Sequence, residues 1–332
     1  MKAIIPVAGA GTKLRPLTYT QPKPLVPLAG KPMIGYIVDA LKEAGIKKFV
    51  FIVGYLGEKI KHYLDTQYPT TQKEFVYQEP REGTGHAIWQ TSRMLLDHEP
   101  IIIHFGDTIL ELDLERFVHA EESSIGIHRT ETPGDFGVVT IDDENHVELM
   151  VEKPIIPKSN MAMVGLYKIN DVKLFKKSLD FIVKEDVRTH GELQLTDALM
   201  HMIEQGTNFK AVEVDHWWDC GHKDKLLLAN AVLLEKYSKE KNFNPQHSNS
   251  IIIPPVSLGK NCKITDSIIG PNVSIGDESR IHRSVLWNSI VGNFSELNEA
   301  VMKDSILGND VVVRGISQSL NIGDNADIDL GV

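Results

Sequence analysis

The residues best suited to chemistry near the N-terminus are a pair of glycines with cations close behind. Gly9-Ala10-Gly11-Thr12-Lys13-Leu14-Arg15 follows the apolar run Ala3-Ile4-Ile5-Pro6-Val7-Ala8, and Pro22-Lys23-Pro24 comes shortly after. Small residues let backbone N–H groups approach an anion, and Lys13, Arg15 and Lys23 neutralise it, so the segment is built to hold phosphates. Spacing excludes two familiar phosphate loops. A dinucleotide fingerprint needs a glycine where Leu14 stands, and a Walker loop needs a longer gap between its glycines, then Gly-Lys-Ser/Thr.

Other candidates are scattered along the chain. Asp107 follows Gly106 at the end of the apolar run Ile101–Phe105, and Asp219 lies in Trp217-Trp218-Asp219-Cys220-Gly221. Each has a plain structural alternative: a turn aspartate after a strand for Asp107, a helix N-cap for Asp219. Gln78 precedes the turn Glu79–Gly85, and its amide offers both a donor and an acceptor, which suits the edge of uracil or thymine. Lys23 and Lys153 each precede a proline, which holds them away from the helical region in extended segments.

These residues need elements to bring them together. Ala3–Ala8, Lys48–Val53 and Pro100–Phe105 read as buried strands, and Pro32–Ala44, His86–Leu96 and Lys223–Tyr237 as helices. Alternation of this kind predicts an α/β fold, a Rossmann-like, mostly parallel sheet with helices on both faces. Ligands of such sheets lie beyond the carboxyl ends of the strands, which puts Gly9 and Asp107 in one crevice. Residues 1–237 form this domain, and the polar, aperiodic stretch 238–250 reads as a linker.

Residues 251–332 have a different texture. Leu258, Ile264, Ile269, Ile275 and Ile281 step by six, five, six and six residues. Asp266-Ser267-Ile268-Ile269-Gly270 recurs as Asn288-Ser289-Ile290-Val291-Gly292 and Asp304-Ser305-Ile306-Leu307-Gly308. This is the hexapeptide repeat of a parallel β-helix. A short β-helix leaves flat sides and ends to cover, which predicts a homo-oligomer, a trimer or a multiple of one.

The segment Gly9–Pro32 resembles the opening motif of the sugar-phosphate nucleotidyltransferases, and the whole chain is most similar to the long glucose-1-phosphate thymidylyltransferases that carry a left-handed β-helix tail. The resemblance implies Mg²⁺-dependent attack of a sugar 1-phosphate on the α-phosphorus of a nucleoside triphosphate, releasing pyrophosphate. It implies nucleotide contacts from Ala8, Gly9, Gly11, Thr12, Lys13, Gln78, Gly83 and Thr84, and catalytic roles for Lys13, Lys23 and Asp107. Asp107 and Asp219 are the implied metal ligands, and Gly137, Glu152, Lys153, Gly165 and Glu192 the implied sugar-phosphate site. By the same resemblance dTTP or UTP is the favoured nucleotide, with a purine triphosphate as an alternative, and glucose 1-phosphate the favoured sugar. Two positions depart from the pattern: Lys13 and His190 stand where the family has arginine. Lysine keeps the charge of arginine without its bidentate fork. Lys13 therefore leaves open a second reading, a nucleotide-sugar binding or regulatory protein with weakened catalysis. Acyl transfer by the tail is a third, disfavoured because the tail shows no catalytic histidine arrangement.

Composition narrows the classes. A net charge of −10 argues against a nucleic-acid partner, and two cysteines imply no disulfide framework or cysteine-rich metal site. The thirteen histidines are scattered without zinc-site spacing, and no apolar stretch approaches membrane length, so no membrane partner is expected and a cytoplasmic enzyme is.

Overall fold

The computed structural model describes residues 1–237 and 249–315. Positions 238–248 of the expected linker and 316–332 of the expected β-helix lie outside the described residues. Two compact units are present, Met1–Ala229 and Asn230–Val332.

In the first unit the strands are β1 (Lys2–Val7), β2 (Pro27–Leu28), β3 (Lys31–Pro32), β4 (Lys48–Val53), β5 (Gln72–Tyr77), β6 (Ile101–His104) and β7 (Thr108–Glu111). They continue as β8 (Ser123–Arg129), β9 (Val138–Ile141), β10 (Val147–Val151), β11 (Met161–Ile169), β12 (Phe209–Glu213) and β13 (His216–Asp219). The helices are α1 (Met33–Glu43), α2 (Gly57–Gln67), α3 (Thr84–Trp89), α4 (Leu114–His119), α5 (Val172–Lys184) and α6 (Leu195–Glu204), and α7 (Lys223–Tyr237) runs across the boundary between the units.

The main sheet runs β10-β9-β11-β6-β1-β4-β5, with β8 pairing β11 and β12. Its nucleotide-motif half, β6-β1-β4-β5, is parallel throughout, with Ile4 beside Val50 and Ile103. β11 joins β6 antiparallel, Leu166 opposite His104. One face carries Ile4, Ile52, Ile101 and Ile103, packed against Ala87 and Ile88 of α3, Phe175 and Leu179 of α5, and Ala198 and Leu199 of α6. In α5 the buried residues Val172, Phe175, Leu179 and Ile182 form one helical stripe, and Asp171 caps the helix by accepting from Leu174 N at 2.9 Å. α1 packs with α4.

The expected helix over His86–Leu96 is shorter. α3 ends at Trp89 and a separate 3₁₀ turn covers Ser92–Met94, where Thr91 turns its hydroxyl onto Ile88 O at 2.7 Å and competes with helical bonding. Lys23 is not extended: it opens a 3₁₀ turn, Lys23–Leu25, with Leu25 N donating to Pro22 O, so the extended residue is Pro22.

The second unit is a left-handed parallel β-helix of three four-stranded sheets. Ile264, Ile269, Ile275 and Ile281, picked out by the period, are each at most 1% exposed. The period arises from the corners. Asn261, Asp266, Asn272, Glu278, Arg283, Asn288, Phe294, Glu299, Asp304 and Asp310 all have φ between 43° and 61°, the left-handed region that Asn and Asp tolerate best. The serine after such a corner is used twice: Ser267 Oγ donates to Thr265 O at 2.7 Å and accepts from Ser284 N of the next coil at 3.1 Å.

Candidate active site

A crevice of about 640 Å³ opens where β1, β5 and β6 end. From the loop after β1 come Ala8, Gly9, Gly11, Thr12 and Lys13; from the β5–α3 turn and the start of α3, Gln78, Gly83 and Thr84; from beyond β6, Asp107; from the last residue of β13, Asp219; and Lys23 and Glu192 complete the wall. All the expected nucleotide, catalytic and metal residues therefore share one crevice.

The glycine loop is fixed from behind. Gly11 (φ 62°) starts the 3₁₀ turn Thr12–Leu14, and buried Thr18 donates its hydroxyl to Gly11 O at 2.7 Å. A Cβ on Gly11 would lie 3.0 Å from Thr18. Gly9 differs: a Cβ there meets no protein atom within 4 Å. The protein alone does not require glycine at this position, whereas an anion lying on the loop backbone would.

At the loop's far side Lys23 Nζ donates to Asp107 Oδ2 at 2.7 Å. Desolvation in the crevice pushes the Asp107 carboxyl up, but the charge and hydrogen bond of Lys23 outweigh it and hold the group below the usual carboxylate range. Asp219 moves the other way: burial, then the negative charge of Asp107, raise it. β7 and β13 pair with Thr108 opposite Asp219, and Cys220 N donates to Asp107 O at 3.1 Å, which ties the two aspartates to neighbouring strands. Asp219 thus lies at the end of a strand, and Gly221 N donates to its Oδ1 at 3.1 Å.

Two carboxylates whose like charges repel one another, at the wall of one crevice, fit a Mg²⁺ ion that would take its remaining ligands from phosphate oxygens and water. Among the described residues no cluster of three or more His, Cys, Asp or Glu could hold a metal by protein ligands alone.

On the β5 side, Gln78 N donates to Val53 O at 2.8 Å and its Nε2 to Gly83 O at 3.0 Å, which fixes the amide at the crevice wall. Gly83 has φ 114°, and a Cβ there would lie 2.5 Å from Leu193 O. The turn is stitched to the segment before α6: Leu193 N donates to Glu82 O and Gly85 N to Leu193 O, both at 2.8 Å. Thr84 Oγ1 donates to Gln194 Oε1 and accepts from Leu195 N, both at 3.0 Å. Sequence reasoning missed Gln194, whose amide also reaches Glu192 at 3.1 Å, and Arg81, which lines the crevice. Arg81 was legible as a cation within the Gln78–Gly85 turn; Gln194 had no signal beyond its neighbourhood.

Gly137, Glu152, Lys153 and Gly165 do not line this crevice. Gly137, Glu152 and Lys153 are instead neighbours of one another. Thr196 Oγ1 donates to Glu152 Oε2 at 2.7 Å, and a Cβ on Gly137 would lie 2.9 Å from the same oxygen. Gly165 (φ 82°) sits in β11, where a Cβ would lie 2.9 Å from Phe105, itself a crevice residue. Burial, with the Glu152 charge adding to it, raises the phenol of Tyr167 and the carboxyl of Asp197.

The sequence comparisons agree with this geometry. A family model described as nucleotidyl transferase matches residues 2–236. The "Bifunctional protein GlmU" of Methanocaldococcus jannaschii is 36% identical over 241 residues, 72% of this chain and 56% of that protein, so the chain spans little more than half of that relative. A "Glucose-1-phosphate thymidylyltransferase" of Streptomyces griseus is 30% identical over 328 residues, 96% of this chain and 89% of that protein. A crystal structure of UDP-glucose pyrophosphorylase complexed with UDP-glucose superposes with a TM-score of 0.62 at 23% identity, covering 71% of this chain and 98% of that one, a likeness of fold. With a crevice formed by the glycine loop and a family model that spans nearly all of the first unit, this chain belongs to the nucleotidyl transferase family.

Proposed function

We propose that the protein transfers a nucleotidyl group from dTTP or UTP to glucose 1-phosphate, releasing pyrophosphate. The observation that carries this reading is the sharing of one crevice by the glycine loop, Lys13, Lys23, Asp107, Asp219 and Gln78. The attacking sugar phosphate is already anionic, so the reaction needs alignment and charge neutralisation more than proton transfer. Gly9 and Gly11 with Thr12 hold the triphosphate on backbone N–H groups, and Ala8 lies at the same strand end. Lys13 and Lys23 neutralise charge that develops on the leaving pyrophosphate. Mg²⁺ held by Asp107 and Asp219 would add to that neutralisation when bound.

Gln78, fixed by Gly83 and followed by Thr84, reads the base edge. Glu152 and Glu192 bind sugar hydroxyls, Lys153 the sugar phosphate, and Gly137 and Gly165 leave room for the ring. The extent of similarity to the Streptomyces griseus thymidylyltransferase supports thymidine and glucose. A cytoplasmic location follows from such substrates, and among the described residues no helix is long and apolar enough to cross a membrane.

The β-helix is proposed to assemble copies of the chain as a trimer or a multiple of one. One of its outward faces carries Ile251, Ile268, Val285 and Val301 in register across successive coils, with Ile251 60% and Val301 73% exposed. A flat apolar ladder of that kind calls for cover by a surface of the same repeat.

The test is pyrophosphate release with Mg²⁺ and glucose 1-phosphate across dTTP, UTP, CTP, GTP and ATP. Turnover is expected with dTTP or UTP and to fall at least about tenfold with the purines. Preference for GTP or ATP would overturn the assignment of Gln78 to a pyrimidine. Binding of nucleotide sugars without turnover on any pair would favour the regulatory reading that Lys13 leaves open.

A further inference from the structure

Thr189–Glu192 is a two-residue hairpin turn. Thr189 N donates to Glu192 O at 3.0 Å and Glu192 N to Thr189 O at 3.2 Å, with φ of 54° at His190 and 81° at Gly191. Two successive positive φ values are the mark of a type I′ turn. Glu192 leaves this turn for the crevice, and His190 leaves it in another direction. Its Nε2 lies 3.2 Å from the carbonyl oxygen of Glu152 and 3.2 Å from that of Lys153. Both partners are acceptors, so Nε2 carries a hydrogen in either charge state of the ring.

The turn that His190 grips is itself unusual. Lys153 has φ 39°, a left-handed backbone that a long side chain rarely adopts without being held there. Lys153 N donates to Phe136 O at 3.1 Å, which holds the turn from one side, and His190 takes its two carbonyls from the other. The Glu152 carboxylate is separately anchored by Thr196. The Lys153 side chain, in contrast, is 54% exposed with its ammonium 3.9 Å from Glu152 Oε1, and the backbone of the turn decides the point from which it departs.

We propose that His190 is a positioning residue: by donating Nε2–H to the carbonyls of Glu152 and Lys153 it holds the strained turn that aims Lys153 at the sugar 1-phosphate. The inference rests on the sugar-phosphate role proposed above for Lys153. It assigns to His190 no contact with substrate.

The test uses the full-length protein with His190→Asn. Asn-Gly is the preferred pair for a type I′ turn, so the hairpin is kept while the shorter side chain no longer spans to both carbonyls. Calorimetric titration with glucose 1-phosphate is expected to show Kd raised about three- to tenfold, the worth of a net hydrogen bond or two, and KM for glucose 1-phosphate should rise alike. KM for dTTP should stay within about twofold, and the substitution should add little further loss in a Lys153→Ala background. An unchanged Kd for glucose 1-phosphate, equal rises in both KM values, or full additivity with Lys153→Ala would overturn the proposal. Failure of the wild-type protein to bind glucose 1-phosphate at all would instead overturn the sugar-phosphate reading, and this proposal with it.

Discussion

Lys23 and Asp107 are 84 residues apart in sequence, yet the Lys23 ammonium donates to the Asp107 carboxylate at 2.7 Å in the wall of the crevice. The pair links the segment after the glycine loop to the end of β6, and it holds Asp107 ionised against the desolvation around it. Lys23→Met should lower kcat by about 10²-fold or more, as loss of one charged stabiliser of a transition state does. It should also change the acid limb of stability. Asp107 titrates below its unfolded value of 3.8, so it contributes stability above that pH that is lost as pH falls through the folded value. Without Lys23 that contribution shrinks, and the melting temperature of the variant should converge on that of the wild type as the pH is lowered from 6 to about 3 in thermal scans.

Asp219 gives the opposite sign. Burial and the charge of Asp107 raise its pKa above 3.8, so its contribution to stability is present below that pH and lost as pH rises through the folded value. Asp219→Asn should therefore raise the melting temperature at pH 7.5 while removing most activity. The gap should close toward pH 3.8. Added Mg²⁺ should stabilise the wild type and not the variant, a difference readable by differential scanning fluorimetry without turnover.

The two glycine turns should separate ligand contact from folding. A Cβ at Gly9 meets nothing, whereas one at Gly83 strikes Leu193 O at 2.5 Å from a backbone at φ 114°. Gly9→Ala should leave the melting temperature within about 1 °C and raise KM for the nucleotide at least about tenfold, because the added methyl occupies the anion's place. Gly83→Ala should cost about 1–3 kcal/mol of stability and weaken nucleotide binding as well. Paired melting curves and nucleotide titrations of the two variants check both halves.

Much of this was legible in the sequence, for identifiable reasons. β4 (Lys48–Val53) and α7 (Lys223–Tyr237) lie where their apolar spacing put them, and the buried isoleucines of the β-helix follow the six-residue step. Those signals are local. The Lys23–Asp107 pair, the stitching of Gly85 to Leu193 and the reach of His190 to Lys153 depend on distant segments meeting, and no periodicity records that. Proline was also a weaker guide than expected: Lys23 enters a 3₁₀ turn and Lys153 a left-handed backbone although each precedes proline, because Pro22 O, Phe136 O and His190 hold them there. Outside the crevice, only resemblance points to the sugar-side residues Gly137 and Glu152, and the Thr196 hydroxyl that anchors Glu152 has no mark in the sequence.

The apolar ladder of the β-helix supplies a prediction about assembly. Val301→Asp places a charge at a 73% exposed position of that face, so it should cost the folded chain little. If the face joins copies of the chain, light scattering should show the wild type as a trimer or a multiple of one and the variant shifted to smaller species. A monomeric wild type at micromolar concentration would contradict the assembly.

The most direct measurement follows the α-phosphate. Protein incubated with Mg²⁺, glucose 1-phosphate and dTTP labelled at the α-phosphorus should carry the label into a nucleotide sugar, at a rate cut about 10²-fold or more by Lys23→Met. Label recovered as free nucleotide, or transfer that Lys23→Met leaves unchanged, would contradict nucleotidyl transfer at this crevice.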